Sequence, residues 1–160
     1  MFSNCHILHN EQFLPRLIGC LESANKEVFI STFKMQCSNS PAGRKIMSLY
    51  SALIDAAERG VSIKVLCNFF NGISGGCHYN THTARQFKHS NIEYRGPNNS
   101  RIIHSKIAIF DRSISIIGSH NLSIKSNNSN YETSVIFECP AFSTELSYRF
   151  LQEFQNATIL

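Results

Sequence analysis

The chain has 160 residues, a formal charge of +4, 42% hydrophobic residues and a pI near 8.8. That length fits one domain with a sizeable core, and no run of about 18 apolar residues is present to span a bilayer. Mild basicity suits a polyanionic partner without requiring one.

The first residues, Met1 to His6, lack a charged stretch followed by an apolar one, so they do not read as a secretory signal. The six cysteines contain no C-x-x-C pair. Reduced thiols and a cytoplasmic setting are therefore expected, with Cys20 and Cys67 acting as small buried hydrophobes. Residues 11–24 repeat Phe13, Leu14, Leu17, Ile18 and Leu21 at helical spacing, and Pro15 restricts the start to about Phe13 or Leu14. Residues 27–33 read as a strand centred on Val28, Phe29 and Ile30, followed by a polar loop through Pro41 and Gly43. Residues 44–59 form the clearest amphipathic helix, stopped by Gly60, and 61–69 follow as an apolar run suited to a buried parallel strand. Strand, helix and strand in that order make a βαβ unit.

A Gly-rich run at 71–76 precedes Cys77, His78, His82 and His89. Their spacing matches no standard zinc pattern, and the glycines suggest a mobile loop with incidental histidines; metal binding there is left open. A shorter helix is expected at 81–89 and a strand at 92–95. Residues 104–111, His104 to Asp111, then read as a strand, with a turn at Asp111-Arg112 and a return strand from Ile114 to Ser119. The run 126–130 reads as a loop, 131–138 as a strand, and a helix is expected from Pro140 onward. The order implies one α/β domain over 1–160.

The chemistry gathers in the hairpin. Side chains alternate along a strand, so His104 and Lys106 share a face ~7 Å apart, and the return strand carries Ser119 and Asn121 back to them. An imidazole titrates near neutrality and can attack phosphorus, a lysine can hold a phosphate, and hydroxyl and carboxamide groups can donate to its oxygens. Glu132 is the candidate to fix the tautomer of His104. Asp111 falls on the opposite strand face and is better placed to cap the turn than to touch substrate. Lys34, after the first strand, and His120, inside the motif, add possible charge near the site.

The pattern H-x-K-x4-D-x6-G-S-x-N, carried by His104, Lys106, Asp111, Gly118, Ser119 and Asn121 with Glu132 beyond, resembles the H-K-D motif of the phospholipase D superfamily. The upstream segments Val28 to Phe33 and Leu53 to Val61 resemble the small single-motif nucleases of that superfamily. The resemblance implies a mixed, mostly parallel sheet flanked by helices on both faces. It also implies a metal-independent, cofactor-free phosphodiesterase in which His104 forms a covalent phosphohistidine. Carried over by position, Lys106 and Asn121 bind phosphate, Ser119 assists, Glu132 orients His104, and Asp111 belongs to the motif. One motif per chain implies a homodimer whose second His104 protonates the leaving oxygen. The expected substrate is nucleic acid, DNA or RNA, with Lys34, Arg85, Lys88, Arg95, Arg101 and Lys125 as possible backbone contacts and no stable membrane association. The alternatives are a phospholipid-cleaving hydrolase and a non-catalytic nucleic-acid-binding module of the same fold.

Overall fold

The computed structural model describes residues 4–69, 78–88, 90–98 and 101–160. Its centre is a strand–helix–strand unit: β2 (Glu27–Thr32), α2 (Arg44–Glu58) and β3 (Ser62–Cys67), with β2 and β3 parallel in the register Glu27↔Ser62 to Thr32↔Cys67. Alternation along β2 sends Val28 and Ile30 to one face and Phe29 to the other, and all three are buried. Each face is therefore covered by helices. Helix α1 (Phe13–Ser23) and α2 pack over Val28 and Ile30, whereas α5 (Pro140–Gln155) lays Phe150 and Phe154 over Phe29, Leu66 and Ile109.

The local signals act as expected. Pro15 lies in the first turn of α1 and Pro140 opens α5, where missing N–H donors cost least. Gly60 ends the α2 connection at φ +90°, a conformation glycine adopts freely. Helix α3 (His78–Gln86) starts three residues earlier than its apolar pattern indicates, because Asn80 and Thr83 on its inner side are buried as hydrogen-bonding residues, not as apolar ones. Strand β4 (Ile92–Gly96) joins β3 in parallel, and β5 (Ile107–Phe110) joins the other side of β2 antiparallel.

The expected hairpin is present: β5 pairs antiparallel with β6 (Ile114–Gly118), which pairs with β7 (Thr133–Glu138). Two edge strands have no expectation above, β1 (Cys5–His9) against β7 and β8 (Thr158–Ile159) against β4. The full order is β1-β7-β6-β5-β2-β3-β4-β8. Among the described residues only the β2–β3 and β3–β4 ladders are parallel, so the sheet is mixed but mostly antiparallel, correcting the expected balance. The βαβ unit sets its middle, while hairpins and chain ends set its flanks. The segment read as a loop at 126–130 is likewise corrected. Ile124–Asn128 makes one short helical turn, α4, started by the Ser123 hydroxyl, which accepts from Ser126 N–H at 3.4 Å.

The Asp111-Arg112 turn has φ +50° and +51° at its two central residues, as mirror-image hairpin turns require. There the Asp111 carboxylate accepts from Asn25, Lys26 and Glu27 N–H, each at 2.9 Å, tying the hairpin tip to the start of β2. This removes Asp111 from the catalytic set: it is the turn cap that its strand face indicates. Burial pushes its carboxyl up, but those three N–H groups and the Lys26 charge outweigh burial and hold it below the usual range. Asp111→Asn keeps an acceptor and tolerates positive φ, so it isolates the charge. It is expected to lower stability by about 1 kcal/mol at pH 7, and Asp111→Ala by about 2 kcal/mol. Because the folded pKa is depressed, wild type keeps its advantage above the unfolded carboxyl value near ~4 and loses it as pH falls through the folded value. Urea midpoints of wild type and Asp111→Asn should converge at the acid end; a constant gap would show that the charge is irrelevant.

Candidate active site

The ladder of β5 begins at Ile107, so His104 and Ser105 are not strand residues as expected, although Lys106 O still accepts from Gly118 N–H at 3.2 Å. Side chains replace the missing ladder. Asn68, buried just beyond β3, accepts from Ile103 N–H and donates to Ile103 O, both at 2.8 Å. Ser31 and Ser105 hydroxyls meet at 2.5 Å. These ties hold the residue on either side of His104 and leave its ring exposed.

Lys106 Nζ lies 3.3 Å from His104 Nδ1 and donates to His104 O at 2.6 Å. Phe33 backs both: its ring centroid is 5.1 Å from that of His104 and 5.5 Å from Lys106 Nζ. Burial pushes the Lys106 ammonium below the usual lysine range, against the opposing pull of Glu132. A bound phosphate would favour the charged form again.

Asn121 Oδ1 accepts from Lys34 N–H at 3.1 Å, which leaves its Nδ2 donor without a protein partner among the described residues. The Asn121 backbone N–H donates to Ser126 Oγ at 2.9 Å, and Ser126 Oγ donates to Glu132 Oε1 at 3.0 Å. Asn130 Nδ2 donates to the same oxygen at 2.9 Å. Burial pushes the Glu132 carboxyl up, but hydrogen bonds from Ser119, Asn130 and Ser126, with the nearby His120, hold it below the usual range. Thus Glu132 is a buried anion, and it steadies Asn121 through Ser126 and Lys106 through its charge. Among the described residues its hydrogen-bond partners do not include His104, whose Nδ1 faces Lys106 instead. Ser119 Oγ accepts from Thr133 N–H at 3.0 Å and stays exposed.

Lys34 reaches the site through its backbone, while its ammonium sits 4.2 Å from the Tyr79 ring centroid at the rim. His120 adds no surface charge. It is buried, stacks on Phe13 with centroids 4.2 Å apart, and engages Ser134 Oγ at 2.8 Å and Asn10 O at 3.1 Å. Burial pushes its pKa down, so it serves as a neutral brace. Arg95 is also structural, paired with Glu93 at 2.5 Å and packed on Phe154. Of the Cys77, His78, His82 and His89 group, Cys77 and His89 lie outside the described residues.

Sequence reasoning misses three asparagines. Asn68 clamps Ile103. Asn80, fully buried, donates to Phe33 O at 3.0 Å and Asn68 O at 2.8 Å and accepts from Met35 N–H at 2.6 Å. Asn10, at φ +48°, exchanges hydrogen bonds with the Glu132 backbone. Asn68 falls at the end of the 61–69 run read as a buried strand, and Asn10 and Asn80 fall just outside the expected helices, so none of the three is marked as a buried hydrogen-bonding residue.

The described site thus groups an exposed imidazole, an ammonium, a carboxamide donor and a buried carboxylate at one end of the sheet. Comparison with known proteins matches residues 17–157 to the family described as "Cardiolipin synthase, PLD-like domain". Mouse mitochondrial cardiolipin hydrolase is 27% identical over 95% of this chain, and the dog protein 26%. The chain spans 61% and 53% of those two relatives' lengths. Among solved structures, the phospholipase D family member Nuc from Salmonella typhimurium superposes with TM-score 0.81 at 16% identity, covering 98% of this chain and 97% of its own. NucT from Helicobacter pylori gives 0.77 at 15%, with 98% of each chain covered. TrmBL2, an archaeal chromatin protein with a novel mode of DNA binding, gives 0.64 at 16%, over 99% of this chain and 55% of its own. With a family model spanning most of its length and the motif residues assembled at one sheet end, the chain belongs to the phospholipase D superfamily as a small PLD-like member.

Proposed function

We propose that this chain is a metal-independent phosphodiesterase acting on nucleic acid, with His104 as nucleophile. The supporting observation is the exposed His104 ring beside Lys106, with the Asn121 donor held by the Ser126–Glu132 relay. With Lys106 turned to the phosphoryl oxygens and the His104 ring proton on Nδ1, Nε2 of His104 attacks phosphorus, an N–P bond forms, and the P–O bond to the leaving group breaks. The leaving oxygen needs a proton. His120 is unsuited, being buried with both ring nitrogens engaged, so a second copy of the chain supplies its own His104 as the acid. Water then attacks phosphorus, gives its proton to that second imidazole, and the N–P bond breaks to restore His104. Lys106 and Asn121 Nδ2 neutralise and orient the phosphoryl oxygens in both steps.

The homodimer has a candidate surface. Ile7 is 68% exposed on edge strand β1 and continues through Val135 and Ile117 along one sheet face; Ile102, beside the His104 segment, is 51% exposed. A phospholipid diester is the second reading, favoured by the cardiolipin names of the family model and the mammalian relatives. The first reading is preferred for the mildly basic chain and its likeness to a DNA-binding structural neighbour; no described helix is long and apolar enough to cross a membrane.

Purified protein incubated with single-stranded DNA, RNA, plasmid and cardiolipin-containing vesicles, each in excess EDTA, separates these readings. Cleavage of nucleic acid in EDTA supports the proposal. Hydrolysis of the vesicles alone would replace the substrate, cleavage only with added metal would replace the mechanism, and tight binding without turnover would indicate a binding module. Light scattering should give a dimer mass at assay concentration; a fully active monomer would overturn the shared site.

A further inference from the structure

Behind Glu132 lies a cleft of about 390 Å³ that none of the chemistry above uses. Three short segments wall it: the turn at Asn10–Gln12, the turn at Pro41–Gly43 with Lys45 beyond it, and residues 126–131. Its size suits a small planar group. Its wall is continuous with the active site. Ser126 and Asn130 line the cleft and also donate to the Glu132 carboxylate, and Asn127, on the same wall, donates to Asn121 O at 3.2 Å.

The polar groups of this cleft are unevenly spent. Asn127 spends both Nδ2 N–H groups, on Ser123 O at 2.9 Å and Asn121 O at 3.2 Å, while Asn128 and Asn130 each spend one, on Ala42 O and Glu132 Oε1, both at 2.9 Å. Their Oδ1 acceptors have no protein partner among the described residues, and that of Asn127 is buried. Glu11 adds a carboxylate and Lys45 an ammonium, so the pair leaves no net charge to attract a phosphate. At the mouth stands Tyr131, 93% exposed, an aromatic ring with almost no packing of its own. Surplus acceptors, balanced charge and a free ring suit an uncharged planar group that brings N–H donors.

We propose that this cleft is the subsite for an unpaired nucleobase of the substrate strand, stacked on Tyr131, with its exocyclic amino group toward Asn128, Asn130 and Glu11. Adenine and cytosine present such an amino group; thymine and uracil present carbonyl acceptors at the same place, where the three Oδ1 atoms and the Glu11 carboxylate outnumber the donors left over. The inference rests on the nucleic-acid reading above and narrows it to single strands, because a base within a duplex cannot both stay paired and enter. It also makes base occupancy adjacent to the two relays, Ser126–Glu132 and Asn127–Asn121, that steady the phosphate-binding groups.

The test uses the 160-residue chain carrying His104→Ala, which binds without cleaving, and short fluorescein-labelled strands of dA, dC and dT, a duplex, and cardiolipin-containing vesicles. Anisotropy is expected to show dA and dC binding at least about fivefold tighter than dT, and all three tighter than the duplex. Adding Tyr131→Ala should weaken dA and dC about tenfold, the size expected for one lost stacking contact. Adding Asn128→Asp, which keeps the Oδ1 acceptor and replaces the amide nitrogen that donates to Ala42 with a second oxygen, should preserve the preference for amino-bearing bases; Asn128→Leu should remove it. Tyr148→Ala, an exposed tyrosine on α5, is the control. Tight single-strand binding that ignores Tyr131 and Asn128 would overturn the cleft while leaving the nuclease reading intact. Binding to vesicles with no affinity for any strand would overturn both.

Discussion

His104→Ala is expected to lower nucleic-acid cleavage by about 10⁴-fold or more, ~5.5 kcal/mol of transition-state stabilisation, with no change in the unfolding midpoint. The ring is exposed, and its described neighbours are Phe33 and the Lys106 ammonium, so its loss leaves no core cavity. Two other imidazoles are already engaged: His120 is buried with both nitrogens bonded, and His9 Nδ1 is 3.0 Å from Thr133 Oγ1 on the β1 edge. Lys106→Ala should cost less, about 10²–10³-fold, because it removes one charge from the phosphoryl oxygens and leaves the nucleophile in place. Mixing separates a shared site from two independent ones. If equal amounts of wild type and His104→Ala exchange subunits freely, about a quarter of the dimers carry two imidazoles, and activity should fall to about a quarter. Independent sites would leave half. Retention of a tenth of the activity by His104→Ala itself would dismiss imidazole as the attacking group.

How much of this is legible in the sequence follows from what each signal depends on. The βαβ unit and the hairpin are readable because periodicity and turn chemistry are local, and Phe29 facing away from Val28 and Ile30 is a direct consequence of strand alternation. The motif residues are readable for the same reason: their spacing alone brings them near one another. The sheet's balance is not, since β1 is a five-residue edge strand interrupted by two histidines and β8 has two residues. Neither carries enough apolar pattern to announce itself, and both add antiparallel ladders. The asparagines behind the site are hidden for a different reason. Asn68, Asn80 and Asn10 act through backbone groups distant in sequence, and a buried asparagine has no local mark that distinguishes it from a solvated one. Glu132 illustrates both sides. Its place beside the site is readable, but its partners Ser126 and Asn130 lie in a polar run that looks like a plain loop, so its link to Asn121 is not.

Gly118→Ala is expected to cost about 2–3 kcal/mol of stability and on the order of 10²-fold in rate, which gives the motif glycine a packing cause. A Cβ at Gly118 would overlap both Cα and Oγ of Ser134 on the neighbouring strand. The first of these is backbone and cannot rotate away, so β6 and β7 must move apart. That separation reaches the site from both sides, because β6 leads into Ser119, His120 and Asn121 while Glu132 immediately precedes β7. The His120 brace would loosen as well, since its Nδ1 partner is Ser134 Oγ. Trimming the partner to Ser134→Gly removes the Oγ clash but not the Cα one, so the double variant should stay impaired in both midpoint and rate. Gly19 gives the contrasting case. It lies within α1, and a Cβ added there would meet nothing within 4 Å, so Gly19→Ala should raise stability by about 0.5–1 kcal/mol through helix propensity and leave the rate unchanged. Urea midpoints and single-turnover rates of the three variants decide the matter. Should Gly118→Ala match wild type in both, the close approach of β6 to β7 would not be what holds Asn121 and Glu132 in place.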